Sequence, residues 1–131
     1  MECKVQGYIY KWGTKVGCTD YTIPEEVFKQ AASEENSYPV TDASFCTPEC
    51  VLGHARIKFD SEGVWTYINV TSTAAKDAIL NDDDEKLKLG FMVNNVEKDE
   101  DKKIVTKCRL TMIDISESGI HPIECATIKE E

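Results

Sequence analysis

The chain lacks the features that would place it in a membrane, a secretory route or several common enzyme classes. No apolar run approaches the roughly 20 residues a spanning helix needs, so no membrane segment is expected. The opening Met1-Glu2-Cys3-Lys4-Val5-Gln6 has neither an apolar h-region nor a small-residue cleavage site, which predicts a product kept in a cytoplasm. Histidine is scarce, at positions 54 and 121 only. No glycine-rich phosphate loop, no Gly-x-Ser-x-Gly elbow and no paired-carboxylate spacing stands out. Positive charge is in deficit: 15 Lys and Arg face 24 Asp and Glu, a formal net charge of -9. Such a field repels polyanions, so direct binding to nucleic acid or to an anionic membrane is not expected.

What is present suits one globular domain over residues 1–131, with 41% hydrophobic and 30% charged residues. A chain of this length buries roughly two thirds of its extended surface and supports an ordinary core. Period-two alternation predicts a strand from Cys3 to Trp12, with Val5, Gly7 and Ile9 on one side. Thr22-Ile23-Pro24-Glu25 reads as a capping box, with Thr22 as N-cap of a short helix carrying Val27, Phe28 and Ala31. Residues 33–50 read as a polar loop with one extended piece at Tyr38–Thr41.

Val51 to Phe59 and Val64 to Val70 alternate on either side of Asp60-Ser61-Glu62-Gly63, a hairpin turn in which Gly63 is expected at positive φ. A second short helix is predicted over Thr73–Leu80, and strands over Leu87–Val93 and Ile104–Ile115 flank a solvated turn at Glu97–Lys103. The tail after Gly119 is short. The fold class is therefore α+β and β-rich, a mostly antiparallel sheet or barrel with two short helices.

Six cysteines (Cys3, Cys18, Cys46, Cys50, Cys108 and Cys125) read in a reducing compartment as small hydrophobes or as metal ligands. Cys46, Cys50, His54, His121 and Cys125 supply enough ligands for zinc, which takes four of them in a tetrahedron. The Thr47-Pro48-Glu49 spacer is unlike a metal knuckle, so loop thiols and a strand histidine are the plainer reading, and no cofactor is expected. The Asp82-Asp83-Asp84 run reads as a solvated face. Taken alone, these residues declare no active site.

The order of several segments resembles the phage prohead (capsid maturation) proteases of the HK97 type, which have a herpesvirus-protease-like fold. Gly7-Tyr8-Ile9-Tyr10-Lys11-Trp12-Gly13 is similar to that family's opening strand and turn, and Tyr21-Thr22-Ile23-Pro24-Glu25-Glu26-Val27-Phe28 to its first helix start. Val51-Leu52-Gly53-His54-Ala55, Asp60-Ser61-Glu62-Gly63-Val64-Trp65, Leu89-Gly90-Phe91 and Met112-Ile113-Asp114-Ile115-Ser116 follow in the family's order. The likeness spans about residues 5–122.

The departures matter more than the likeness. Where the resemblance calls for a serine nucleophile this chain has Lys88, and where it calls for a His-Asp pair it has Val40-Thr41-Asp42-Ala43-Ser44. Asp114 matches the third, acidic member. A lysine does not replace the serine as acyl acceptor, and losing nucleophile and base together removes nearly all catalysis beyond binding. The resemblance thus implies a pseudo-protease with degenerate positions Asp42, Lys88 and Asp114. It would act by protein–protein contact as a capsid-assembly or virion structural protein, in the host bacterial cytoplasm or the particle. Capsid or other virion proteins, bound by strand addition, and a second copy of the chain are the implied partners. Two alternatives remain at this stage. One is an active serine or cysteine protease in a shifted register, with His54 as base and Ser44, Ser72 or Cys108 as nucleophile; the other is a zinc-stabilised binding module.

Overall fold

Sustained alternation becomes strand throughout the computed structural model, which describes residues 2–17, 19–41, 51–82, 85–117 and 119–129. β1 (Glu2–Lys11) buries Val5 and Ile9 while Lys4 points out. The elements that follow are α1 (Glu25–Ala31), β2 (Tyr38–Thr41), β3 (Val51–Phe59), β4 (Gly63–Val70), α2 (Thr73–Leu80), β5 (Lys88–Asp99), β6 (Ile104–Ser116), β7 (His121–Pro122) and β8 (Cys125–Lys129). They form one eight-stranded sheet in the order β7-β5-β6-β2-β3-β4-β1-β8. β2 runs parallel to β6 and the other ladders are antiparallel, so the β-rich α+β class holds with a mixed sheet.

The β3–β4 hairpin forms where the alternation breaks at Asp60. The Asp60 carboxylate accepts the N–H groups of Glu62 (2.8 Å) and Gly63 (2.9 Å), and its own N–H donates to the Gly63 carbonyl at 3.0 Å. Gly63 does not take the positive φ expected of it. Its requirement is space: a Cβ there would lie 2.1 Å from the Tyr10 carbonyl oxygen of the neighbouring strand.

Three other expectations are corrected. Thr22 does not cap α1, whose N-cap is Pro24 without a side-chain hydrogen bond. The Thr22 backbone is engaged elsewhere, donating to the Lys103 carbonyl (3.1 Å) and accepting from the Val105 N–H (2.9 Å). β5 continues past Val93 to Asp99, so the reversal narrows to Glu100–Lys103, where the Asp99 carboxylate accepts the Asp101 and Lys102 N–H groups, both at 3.1 Å. The long β5–β6 pairing supplies the hydrogen bonds that make strand of this charged stretch.

The tail is the third correction. β7 lies on β5, with His121 opposite Leu89, and β8 lies on β1, with Cys125 opposite Gln6. Only Ile123 and Glu124 separate β7 from β8, so one short segment joins the two ends of the strand order. Glu124 donates its N–H to the Gln6 carbonyl at 3.0 Å. The sheet therefore curls into a half-barrel with a seam at Gly7. A Cβ on Gly7 would meet Leu89 Cδ1 at 2.7 Å and the Pro122 carbonyl oxygen at 3.1 Å.

Aromatic packing fills the hairpin end. Phe28 of α1 is fully buried, stacked on Tyr10 (centroids 5.8 Å) and edge-on to Phe91 (5.3 Å) and Phe59 (6.2 Å). Burying such a ring is worth roughly 1.5–3 kcal/mol, with more from ring geometry. The buried Tyr10 hydroxyl accepts the Ile23 N–H (2.9 Å) and donates to the Thr14 carbonyl, which ties the α1 approach to β1. At the other end α2 buries Ala75, and Ser72 caps it by accepting the Ala75 N–H at 3.3 Å. Among the described residues, neither helix is long and apolar enough to cross a membrane.

Candidate functional site

The β5–β6 ladder carries the two described positions where the resemblance expects protease machinery. Lys88 pairs with Ser116, and Gly90 pairs with Asp114. Partners in an antiparallel ladder share a face and the face alternates from rung to rung, so Lys88, Ser116 and Asp114 lie on the same side, on two rungs separated by the Leu89–Ile115 rung. On the far side of β6, Thr41 of β2 pairs with Asp114. Asp42 itself lies outside the described residues, as do Ser44, Cys46 and Cys50.

Asp114 is 9% exposed and Ser116 is fully buried, with the Ser116 hydroxyl donating to Asp114 Oδ2 at 2.8 Å. Thr41, also buried, donates its hydroxyl to Met112 Sδ at 3.3 Å. A carboxylate buried in a sheet is costly unless hydrogen-bonded, and the Ser116 hydroxyl offsets part of that cost. Sequence reasoning singled out Asp114 and missed Ser116 as its partner. The signal was available, since residues two apart on a strand project from the same face.

The described histidines stand elsewhere. His121 pairs with Leu89, whose partner on β6 is Ile115, and that rung projects from the opposite face to Asp114 and Ser116. Its Nε2 is buried with no hydrogen-bond partner among the described residues, and burial, with the nearby Lys11, lowers its pKa against a smaller opposing pull from Glu124. His54 sits exposed on the outer face of β3 between Asn69 and Pro39. Ser72 is occupied as the α2 cap, and Cys108 is buried in β6. No described serine or cysteine named as a shifted-register nucleophile is therefore hydrogen-bonded to His54. Burial raises the thiol pKa of Cys108 and, against a smaller pull from Lys76, that of Cys3, as expected of packing groups rather than thiolate nucleophiles.

Of the proposed zinc ligands, Cys46 and Cys50 lie outside the described residues, and His54 and Cys125 stand apart in the sheet. In the strand order β3-β4-β1-β8, three strand spacings separate His54 from Cys125, about 14 Å at 4.8 Å per strand. Among the described residues no group of three His, Cys, Asp or Glu side chains is placed to hold a metal.

A further ionisable pair, Tyr8 and Asp60, has a structural role. Tyr8 donates its hydroxyl to Asp60 Oδ2 at 2.7 Å, while Trp12 Nε1 donates to the Asp60 carbonyl at 3.0 Å. Partial burial pushes the Asp60 carboxyl up, but the Tyr8 hydroxyl, the Glu62 and Gly63 N–H groups and the Lys58 charge outweigh it and hold the pKa below the ordinary value. The hydrogen bond to Asp60, followed by burial and nearby carboxylates, raises the Tyr8 phenol well above its usual range. Asp60 thus fastens the hairpin to β1.

The sequence matches no protein-family model and no curated protein.

Proposed function

We propose that the chain is a non-catalytic protein-interaction module with prohead-protease-like architecture, acting in phage capsid assembly or as a virion structural part. The supporting observation is the occupancy of the β5–β6 rungs. Lys88 stands where the resemblance calls for a serine, beside the Asp114–Ser116 pair. An amine acylated by a peptide carbonyl forms an amide as stable as the substrate, so a lysine in that place ends turnover. Asp114 then serves as a buried hydrogen-bond acceptor that orients Ser116. Host cytoplasm during assembly, or the particle itself, is the corresponding location, and capsid or other virion proteins are the corresponding partners.

Fluorophosphonate and iodoacetamide probes on the folded protein, read by intact mass, test the loss of catalysis. Unlabelled serines, and cysteine labelling confined to exposed thiols, are the expected result; stoichiometric labelling of a serine returns the protein to the serine hydrolases. The phage setting is tested by the coding neighbourhood, where capsid, portal and terminase genes are expected. A neighbourhood of housekeeping genes overturns it.

A further inference from the structure

A bulge in β5 stands apart from the degenerate protease positions. Asn94 pairs with Arg109 and Glu97 with Lys107, so Asn95 and Val96 together oppose Cys108. Asn95 takes a φ of 52°, a left-handed conformation that asparagine tolerates better than most residues. Bulges re-aim side chains beside binding sites, and here two open depressions, of about 420 and 470 Å³, meet at Arg109. Gln30, Asn95 and the end of α1 line the first, and Ser37 and Asn94 line the second. No carboxylate lines either, in a chain with 24 Asp and Glu. Arg109 is exposed, and the side chains of Gln30, Ser37, Asn94, Asn95 and Arg109 make no hydrogen bond or ion pair among the described residues.

We propose that these depressions bind the C-terminal end of a peptide, with its terminal carboxylate on the Arg109 guanidinium. The proposal rests on the protein-interaction reading above and names its site and the chemistry of its partner. The cations present set the ligand's charge. Lys107, the other cation lining the depressions, is engaged with Glu97 at 3.7 Å. One free guanidinium matches a monoanion, by bidentate pairing with a planar carboxylate, and would leave a phosphate dianion half neutralised. Glu34 and Glu35, exposed on the connector between α1 and β2, line neither depression but also disfavour a second negative charge on the ligand.

The two depressions differ in polarity, which sets the ligand's direction. The first is bounded by Ala31 and Ala32 at the C-terminal end of α1. The last carbonyls of a helix lack intrahelical partners and carry its negative partial charge, so that side takes N–H donors rather than an anion. The second offers the Asn94 amide and the Ser37 hydroxyl as donors beside Arg109. A peptide terminus has the same polarity, a carboxylate at its end with amide N–H groups behind it. The Gln30 and Asn95 side chains carry both donor and acceptor, as a peptide group requires. A carboxylate without the amides would engage the second depression alone.

The test is an NMR titration of the full chain with N-acetyl-dialanine, its C-terminal amide, acetate and inorganic phosphate. N-acetyl-dialanine is expected to shift the side-chain resonances of Gln30, Asn94, Asn95 and Arg109, with a dissociation constant of about 1–10 mM. Amidation should weaken it roughly tenfold or more, and acetate should bind at least about threefold more weakly without moving Gln30 or Asn95. Arg109→Gln and Arg109→Lys should each cost about tenfold at unchanged melting temperature, since the side chain is exposed and lysine lacks the planar fork. Acetate binding as tightly as the dipeptide overturns the peptide terminus in favour of a small carboxylic acid, and tighter binding of phosphate overturns the monoanion. Shifts elsewhere, no shift by about 20 mM, or indifference to Arg109→Gln overturns the site itself. A positive fluorophosphonate label would fail the pseudo-protease reading without altering this titration, and a blank titration leaves the label result standing.

Discussion

The hairpin end and the seam of the half-barrel are closed by different means. At the hairpin end, Phe28 packs against Tyr10, Phe59 and Phe91, while Asp60 fastens the β3–β4 turn to Tyr8 and Trp12. At the seam, the two-residue β7 holds β5 by pairs at Lys88 and Leu89, and closure depends on the missing side chain of Gly7 and on Glu124 bonding Gln6. One end is stabilised by buried area and the other by shape and a few backbone bonds. Local opening should therefore start at the seam, where little apolar surface needs to be exposed.

Removing the aromatic plug is expected to have the largest effect. Phe28→Ala should cost about 3–5 kcal/mol in denaturant unfolding, because no neighbour is free to fill the hole among fixed rings. A loss under 1 kcal/mol would mean that the plug packs loosely and that the contrast between the two ends is false. Next comes Gly7→Val, which forces side-chain atoms against Leu89 and the Pro122 carbonyl. We expect about 1–3 kcal/mol of destabilisation, with faster amide exchange in 121–127 than in the β3–β4 hairpin. Uniformly faster exchange would show that the seam and the core open as one unit.

Tyr8→Phe should have a smaller effect near neutral pH, the net worth of one hydrogen bond partly screened by solvent. Its pH dependence is two-sided. The folded pKa of Asp60 is depressed, so its stabilisation is present above the ordinary carboxylate value near 4 and lost as pH falls through the folded value. The folded pKa of Tyr8 is raised, so its stabilisation is complete below about 10 and lost as pH rises through the folded value. Tyr8→Phe should remove the alkaline loss and reduce the acid one, as read from chemical denaturation across pH.

His121 gives the smallest effect. Its folded pKa is lowered, so the unfolded chain binds the proton more readily. Stability should be full above about 6.5, fall as pH drops through that value, and level off below the folded pKa. Comparing His121→Gln with the parent protein between pH 5 and 7.5 checks this. An equal slope in both proteins would show that His121 is as solvated in the fold as out of it.

Strands whose inward positions bury apolar side chains were legible in the sequence. Val51–Phe59 and Gly63–Val70 fall where the period-two pattern runs, because each inward residue reports its own burial. The Asp60 turn was legible for the same local reason. β7 and β8 were not, since His121–Pro122 is strand only through its pairing with β5, and Cys125–Lys129 through β1. The extension of β5 over Asn94–Asp99 was hidden by its charges, which suit a turn until a partner strand satisfies the backbone.

At the candidate site, the sequence singled out Lys88 and Asp114, but register was needed to place them on one face of the β5–β6 ladder and to bring Ser116 to Asp114. Likewise, the sequence showed that His54, Arg56 and Lys58 alternate outward on one strand, whereas only the β1–β4–β3 pairing assembled them with Lys4 and Tyr67. The sequence by itself determined the strands that bury apolar side chains at alternate positions, the two helices, the main turn and the sign of the overall charge, because periodicity and turn chemistry are local. Tertiary structure alone decided the curl of the sheet, the seam at Gly7 and the separation of His54 from Cys125. Each of these depends on which distant strands pair and in what register, and hydrogen bonds between backbones set that pairing without marking it in the residues they join.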